Sequence, residues 1–258
     1  MKIGCCINSF SKEGDPLGLG ILPTLKTLGY DYAEVSIAGF SDLSDEDFEK
    51  VASVVEKSSI PVEAGCILVT GGLNVYGDWE PVETYLHKAF SRASRLGLKV
   101  MVFGSGRARS VPEGSSKEET FQKFADLLKQ IGKIAASHGI TVVIEPLNTR
   151  ETDMITNLAE GAQLAKAVNH PNVQLLADYY HMAQEKDSFS SEALAILRHA
   201  HYAEPTTRTY PQQLDEGSKA FFEQLKQSGY AGRISIEASA PNGEEDLRRF
   251  IELVQLWH

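Results

Sequence analysis

A chain of 258 residues with 42% hydrophobic side chains can bury a large core without disulfide or metal staples, as an ordinary globular protein does. Its formal net charge is -10, from 25 Lys and Arg against 35 Asp and Glu, so it lacks the basic footprint of a nucleic-acid binder. No apolar run reaches the ~18 residues of a membrane span, and the N-terminal MKIGCCINSF has neither the long apolar region nor the cleavage site of a signal peptide, so a soluble cytoplasmic protein with no membrane partner is expected.

The first β-rich run, KIGCCI (2–7), carries adjacent Cys5 and Cys6; with Cys66 the total is odd, which points to reduced thiols in a cytoplasmic compartment. The following INSFSKEGDPLGLG contains no G-x-G-x-x-G, the mark of an open doubly wound sheet. YAEVSI (32–37) is followed by SDEDFEKVASVVEKSS, whose apolar spacing predicts a helix. PVEAGCI (61–67) precedes the helical pattern PVETYLHKAFSRASRLG, closed by Gly97. KVMVFG (99–104) leads into FGSGRARSVPEG, where a loose Gly-Ser-Gly is weak support for a phosphate cradle. KEETFQKFADLLKQIGKIAASHG reads as a long helix stopped at Gly139. TVVIE (141–145), VQLLAD (173–178), HAHYAE (199–204) and RISIEA (233–238) complete eight strands, the last preceded by a stop signal at Gly229. Strand and helix alternate eight times over about 250 residues. That predicts an α/β protein, a single-domain (β/α)8 TIM barrel over 1–258; no Pro-rich linker or charge block marks a boundary.

In such a barrel the working face lies at the C-terminal strand ends. In TVVIEPLNTRET the β-branched run Thr141–Ile144 suits a strand buried on both faces, and Pro146, with no N–H to donate, ends it and leaves Glu145 at its rim. VQLLADYYHM ends in Asp178 with His181 three residues beyond, and RISIEA ends in Glu237. His199 and His201 share one face of their strand, and His201 lies nearer the C-terminal end. Three carboxylates and an imidazole converging from consecutive strands would repel unless a counter-charge joins them. One divalent metal ion meets that need; a mostly oxygen set with one nitrogen favours manganese, magnesium or cobalt, with zinc next. His87, His138, His170 and His258 carry no such pattern and are given no role.

VVIEPLNTRET, ADYYHM, HAHYAEPTTR and GYAGRISIEA together resemble signatures of the xylose isomerase-like TIM-barrel superfamily, especially its sugar isomerase and ketose 3-epimerase branch. The resemblance runs through most of the chain and is strongest from residue 100 onward. It implies metal ligands at Glu145, Asp178, His201 and Glu237, and substrate contacts at Glu151, His181 and Arg208. Arg208 stands one residue further from His201 than in the epimerase pattern, and YPQQ replaces the usual glycine-rich segment, so the substrate is less defined than the chemistry. Barrels of this type often pair, so a homo-oligomer is compatible with it.

The resemblance implies proton abstraction next to a carbonyl through an enediolate, with Glu145 and Glu237 as catalytic groups removing and returning the proton. A sugar or polyol is the expected small-molecule substrate; Arg107 and Arg109, after the fourth strand, could contact its hydroxyl, carboxylate or phosphate groups. Three alternatives share the barrel. A metal-dependent dehydratase of a cyclic polyol ketone or dehydroshikimate type would begin with the same proton abstraction. An abasic-site endonuclease is expected to need extra histidines on strands two to four, where there are none. A non-catalytic sugar-binding barrel would not need paired carboxylates on a metal.

Overall fold

The β-rich runs become eight short parallel strands in the computed structural model, which describes residues 1–70 and 72–257, the side chain of residue 256 excepted. They are β1 (Lys2–Cys6), β2 (Tyr32–Ser36), β3 (Val62–Cys66), β4 (Val100–Phe103), β5 (Thr141–Ile144), β6 (Val173–Asp178), β7 (Leu197–Tyr202) and β8 (Arg233–Ile236). Each pairs with the next in sequence, and β1 returns to β8 with Ile3 opposite Ile234 and Cys5 opposite Ile236, closing the barrel. Closure leaves no unpaired sheet edge. β7 begins two residues before the expected HAHYAE, because Leu197 still buries its side chain among the helices.

The helices form where capping and apolar spacing agree. Ser44 accepts a hydrogen bond from the amide of Asp47 and starts the helix Asp45–Lys57, whose first turn is acidic and whose last carries Lys57, matching the helix dipole. Ser116 and Glu119 form a reciprocal capping box before the helix Lys117–Ser137, which buries Phe124, Leu128, Ile131 and Ala135 along one stripe. The helix Trp79–Leu96 starts before the expected Pro81, which its first turn tolerates.

Side-chain alternation splits the core in two. Outward residues of the strands pack on the helices, whereas Cys6, Tyr32, Ala64, Cys66, Val100, Val102, Val143 and Leu176 form a second cluster that fills the barrel. Gly4 makes room there: a β-carbon on it would overlap the Tyr32 ring, whose hydroxyl meets Ser235 Oγ at 2.7 Å. At the N-terminal face Glu63 joins Lys2 (2.7 Å) and Arg233 (Nε, 2.6 Å), tying β3 to the first and last strands. The opposite rim is left for polar chemistry.

Candidate active site

Pro146 stops β5 at Ile144, and the amide of Glu145 makes a last ladder-like bond to the carbonyl of Phe103 at 3.3 Å. Glu145 is thereby carried to the rim with its side chain inward and 5% exposed. Asp178 is the final residue of β6, His201 lies in β7, and Glu237 follows β8, its amide bonded to the carbonyl of Tyr202 at 3.0 Å. Ligand atoms of Glu145, Asp178, His201 and Glu237 all lie within 4.8 Å of one another. His201 Nδ1 stands 3.3 Å from Glu145 Oε1 and 3.8 Å from Glu237 Oε2.

Beneath His201 lies a residue the sequence reading passed over. Glu34, in β2, is fully buried; its Oε1 meets His201 Nε2 at 3.0 Å and its Oε2 meets His199 Nε2 at 2.8 Å. A carboxylate that accepts from Nε2–H fixes the ring's orientation and turns Nδ1 of His201 toward the acidic groups. The signal was a lone glutamate in the otherwise apolar YAEVSI, on the same inward face as Tyr32. His199 is held deeper than His201 and reaches none of the rim carboxylates, although the two rings lie 4.9 Å apart.

The electrostatics show what the site is short of. Burial pushes Asp178 up, with Glu145 adding to it, and burial pushes Glu237 up to about 6 against the opposing charge of His201. For Glu145 burial acts the same way but is outweighed by the hydrogen bond and charge of His201, which hold it down to about 2. His201 is raised well above an ordinary imidazole: burial works against its charge, and Glu34, Glu237 and Glu145 overcome it. Two carboxyls driven toward their neutral forms in a buried oxygen-rich cluster lack positive charge, which a divalent cation on this donor set would supply. The residues therefore fit such an ion.

A cavity of about 460 Å³ opens over this group, lined among others by Ile67, Arg107, Glu145, Glu151, Arg208 and Glu237. The amide of Asn148 donates to His181 Nδ1 at 3.1 Å, so that nitrogen is the acceptor and the proton sits on Nε2. His181 Nε2 is buried, without a hydrogen-bond partner among the described residues, and 3.7 Å from Asp178 Oδ2, a spare donor at the mouth. Asn148 also donates from its side chain to Glu151 Oε1 at 3.0 Å, linking two expected substrate contacts; the sequence reading named neither this role nor Asn148. Arg208 pairs with Glu237 at 2.8 Å, reaches Glu151 at 3.5 Å and lies 4.8 Å over the Tyr180 ring. Its φ of 53° is unusual for a residue with a side chain and is held by bonds to Glu204 and Ser239.

Arg109 corrects an expectation. It is fully buried behind the mouth and spends its guanidinium on the carbonyls of Phe103 (3.0 Å) and Glu145 (2.6 Å), bracing the ends of β4 and β5 instead of reaching a substrate. Arg107, exposed on the same loop, is the one at the cavity. His87, His138 and His170 lie outside the cluster, and His258 is outside the described residues. A larger cavity of about 780 Å³ lies between the segment Gly14–Pro23 and the helix Asp45–Lys57, and among the described residues it contains no ligating cluster.

The model of the xylose isomerase-like TIM barrel matches residues 22–255. The chain belongs to that family. Over 253 residues it is 26% identical to 3-dehydro-D-guloside 4-epimerase of Escherichia coli K12, covering 92% of each chain. It is also 31% identical to L-ribulose 3-epimerase of Methylomonas sp. over 130 residues, 49% of this chain and 45% of that one. The crystal structure of D-allulose 3-epimerase from Methylomonas sp. in complex with D-allulose superposes with a TM-score of 0.83 at 19% identity, covering 100% of this chain and 97% of the other, a likeness of fold. Among the described residues no helix is long and apolar enough to cross a membrane.

Proposed function

We propose that this member of the family is a metal-dependent sugar epimerase or isomerase that moves a proton at the carbon beside a ketone. The observation that carries the reading is the convergence of Glu145, Asp178, His201 and Glu237 within 4.8 Å, with Glu34 aiming the imidazole. A divalent cation bound to these four, manganese, magnesium or cobalt before zinc, would polarise adjacent oxygens of the substrate and make that carbon-bound hydrogen acidic.

The chain's own groups do the rest. Glu145 and Glu237 reach the cluster from β5 and from beyond β8, so a carbon held between them meets one carboxylate on each face. One removes the proton and the other returns it. His181 Nε2–H, with its lone pair side fixed by Asn148, donates to a substrate oxygen; Arg208 and Glu151 take hydroxyls further out. Ile67 and Leu147 line the cavity and help to exclude water.

A 3-epimerase of a 2-ketose and a 4-epimerase of a 3-keto sugar share one demand: the inverted carbon neighbours the carbonyl. That common chemistry, and not one sugar, is what the relatives support for this chain. Three buried free thiols accord with a reducing cytoplasmic compartment. The test is product analysis by NMR after incubating the manganese-loaded protein with a panel of 2-ketoses and 3-keto glycosides. Inversion next to the carbonyl, abolished by Glu237→Gln while substrate still binds, is the expected result. A dehydrated product would move the chain to the lyases, and unchanged turnover in Glu237→Gln would refute the role of that carboxylate.

A further inference from the structure

Two thiols at the mouth, Cys6 and Cys66, are left unused by the proposed reaction and lie beside Glu237, which it uses. Cys6 closes β1 and Cys66 closes β3, with β2 between them, and both side chains turn into the barrel. Their sulfurs stand 3.5 Å apart as free thiols. Two thiolates on a tetrahedral ion with metal–sulfur bonds of ~2.3 Å lie ~3.8 Å apart, so the observed spacing needs only a few tenths of an ångström of adjustment. A Glu237 oxygen and the two sulfurs all fall within 4.8 Å of one another.

Asn8 adds a fourth potential donor. Its Nδ2 donates to Cys66 Sγ at 3.0 Å, while its Oδ1 is buried with no hydrogen-bond partner among the described residues. A turn of the amide would present that oxygen to the thiols. The group is reachable from the mouth: Cys66 lines the 460 Å³ cavity, Cys6 and Asn8 line an adjoining one of about 220 Å³, and both cavities share Arg208 and Glu237.

We propose that Cys6, Cys66 and Glu237 form a second cation site, selective for thiophilic divalent ions of the zinc and cadmium class, whose occupation draws Glu237 from the four-residue centre and halts turnover. Thiolate donors prefer such ions over manganese or magnesium, which keep to oxygen. Occupation forms two metal–sulfur bonds and releases both thiol protons to solvent. The inhibitory consequence rests on the proposed role of Glu237; the binding itself does not.

The experiment is a cadmium titration of the full-length, chelator-stripped protein under a phosphine reductant, followed by the ultraviolet thiolate-to-cadmium charge-transfer band. The band should rise to a plateau at one thiolate-bound ion per chain. It should be lost in Cys6→Ser/Cys66→Ser, and persist in Cys5→Ser, whose sulfur faces Tyr210 outside the barrel, and in Asp178→Asn, which disturbs only the other centre. A wild-type protein without the band, or a band that survives the double variant, overturns the site. Should manganese fail to bind or support turnover while the cadmium band appears, the proposed function falls and this site stands.

Discussion

Glu34→Gln isolates the contribution of a charge buried beneath the cluster and outside the lining of the cavity. In the native chain one carboxylate serves His201 at 3.0 Å and His199 at 2.8 Å, all three groups fully buried. The amide keeps size and shape. Its oxygen can remain the acceptor for His201, while its nitrogen can donate to His199 Nε2 if that ring moves its proton to Nδ1, which has no partner now. The hydrogen bonds survive and the negative charge does not. Loss of such a partner behind a ligating histidine costs about 10- to 100-fold in metal affinity or activity, and that corresponds to ~1.4–2.7 kcal/mol. Glu34→Ala is the harsher change, since it strands buried imidazoles and can cost ~3–5 kcal/mol of stability. Isothermal titration of manganese into stripped protein, beside kcat/KM and circular dichroism, reads the effect. Glu34→Gln should stay folded and fall about tenfold in manganese affinity. A folded variant with unchanged affinity and kcat/KM would refute the positioning role.

Other substitutions probe neighbouring steps. A β-carbon at Gly104 would collide with Oε2 of Glu145, so Gly104→Ala must displace that carboxylate; a shift near 1 Å at a reacting group costs about 100-fold in turnover, and kcat should fall far more than Tm. Stripping the metal with a chelator should abolish turnover, and manganese at about a hundredfold over its Kd should stabilise the wild type by ~2.7 kcal/mol but not Asp178→Asn, measured by thermal unfolding. At the opposite face burial would raise the Glu63 carboxyl, yet the hydrogen bonds and charges of Lys2 and Arg233 hold it below its ordinary value. A carboxyl depressed in the fold stabilises above its unfolded value of ~4.3 and loses that contribution as pH falls through the folded value. Glu63→Gln should therefore melt below the wild type at neutral pH, the gap closing as the pH drops under about 4.

Eight strands were legible because each is a short apolar run bounded by turn chemistry, and the rim positions of Glu145, Asp178 and Glu237 followed from where those runs stop. His201 over His199 followed from side-chain alternation and direction. What could not be read was depth and aim. Arg107 and Arg109 are two residues apart in one loop, yet one is exposed at the cavity and the other buried on the carbonyls of Phe103 and Glu145, a distinction set by the packing of that turn against β5. Glu34 and Asn148 act on other side chains, so their pairing with His201 and His181 exists only once distant strands and loops meet. The approach of Cys6 to Cys66 across β2 is likewise a product of barrel closure.

The role assigned to Glu145 and Glu237 comes down to whether a carbon-bound proton is exchanged between them. The manganese-loaded protein, incubated with its best ketose in heavy water and followed by NMR, should give an epimer carrying deuterium at the inverted carbon beside the carbonyl, with no inversion in Glu237→Gln. Epimer formed without deuterium at that carbon, or formed at the wild-type rate by Glu237→Gln, would contradict proton transfer at this centre.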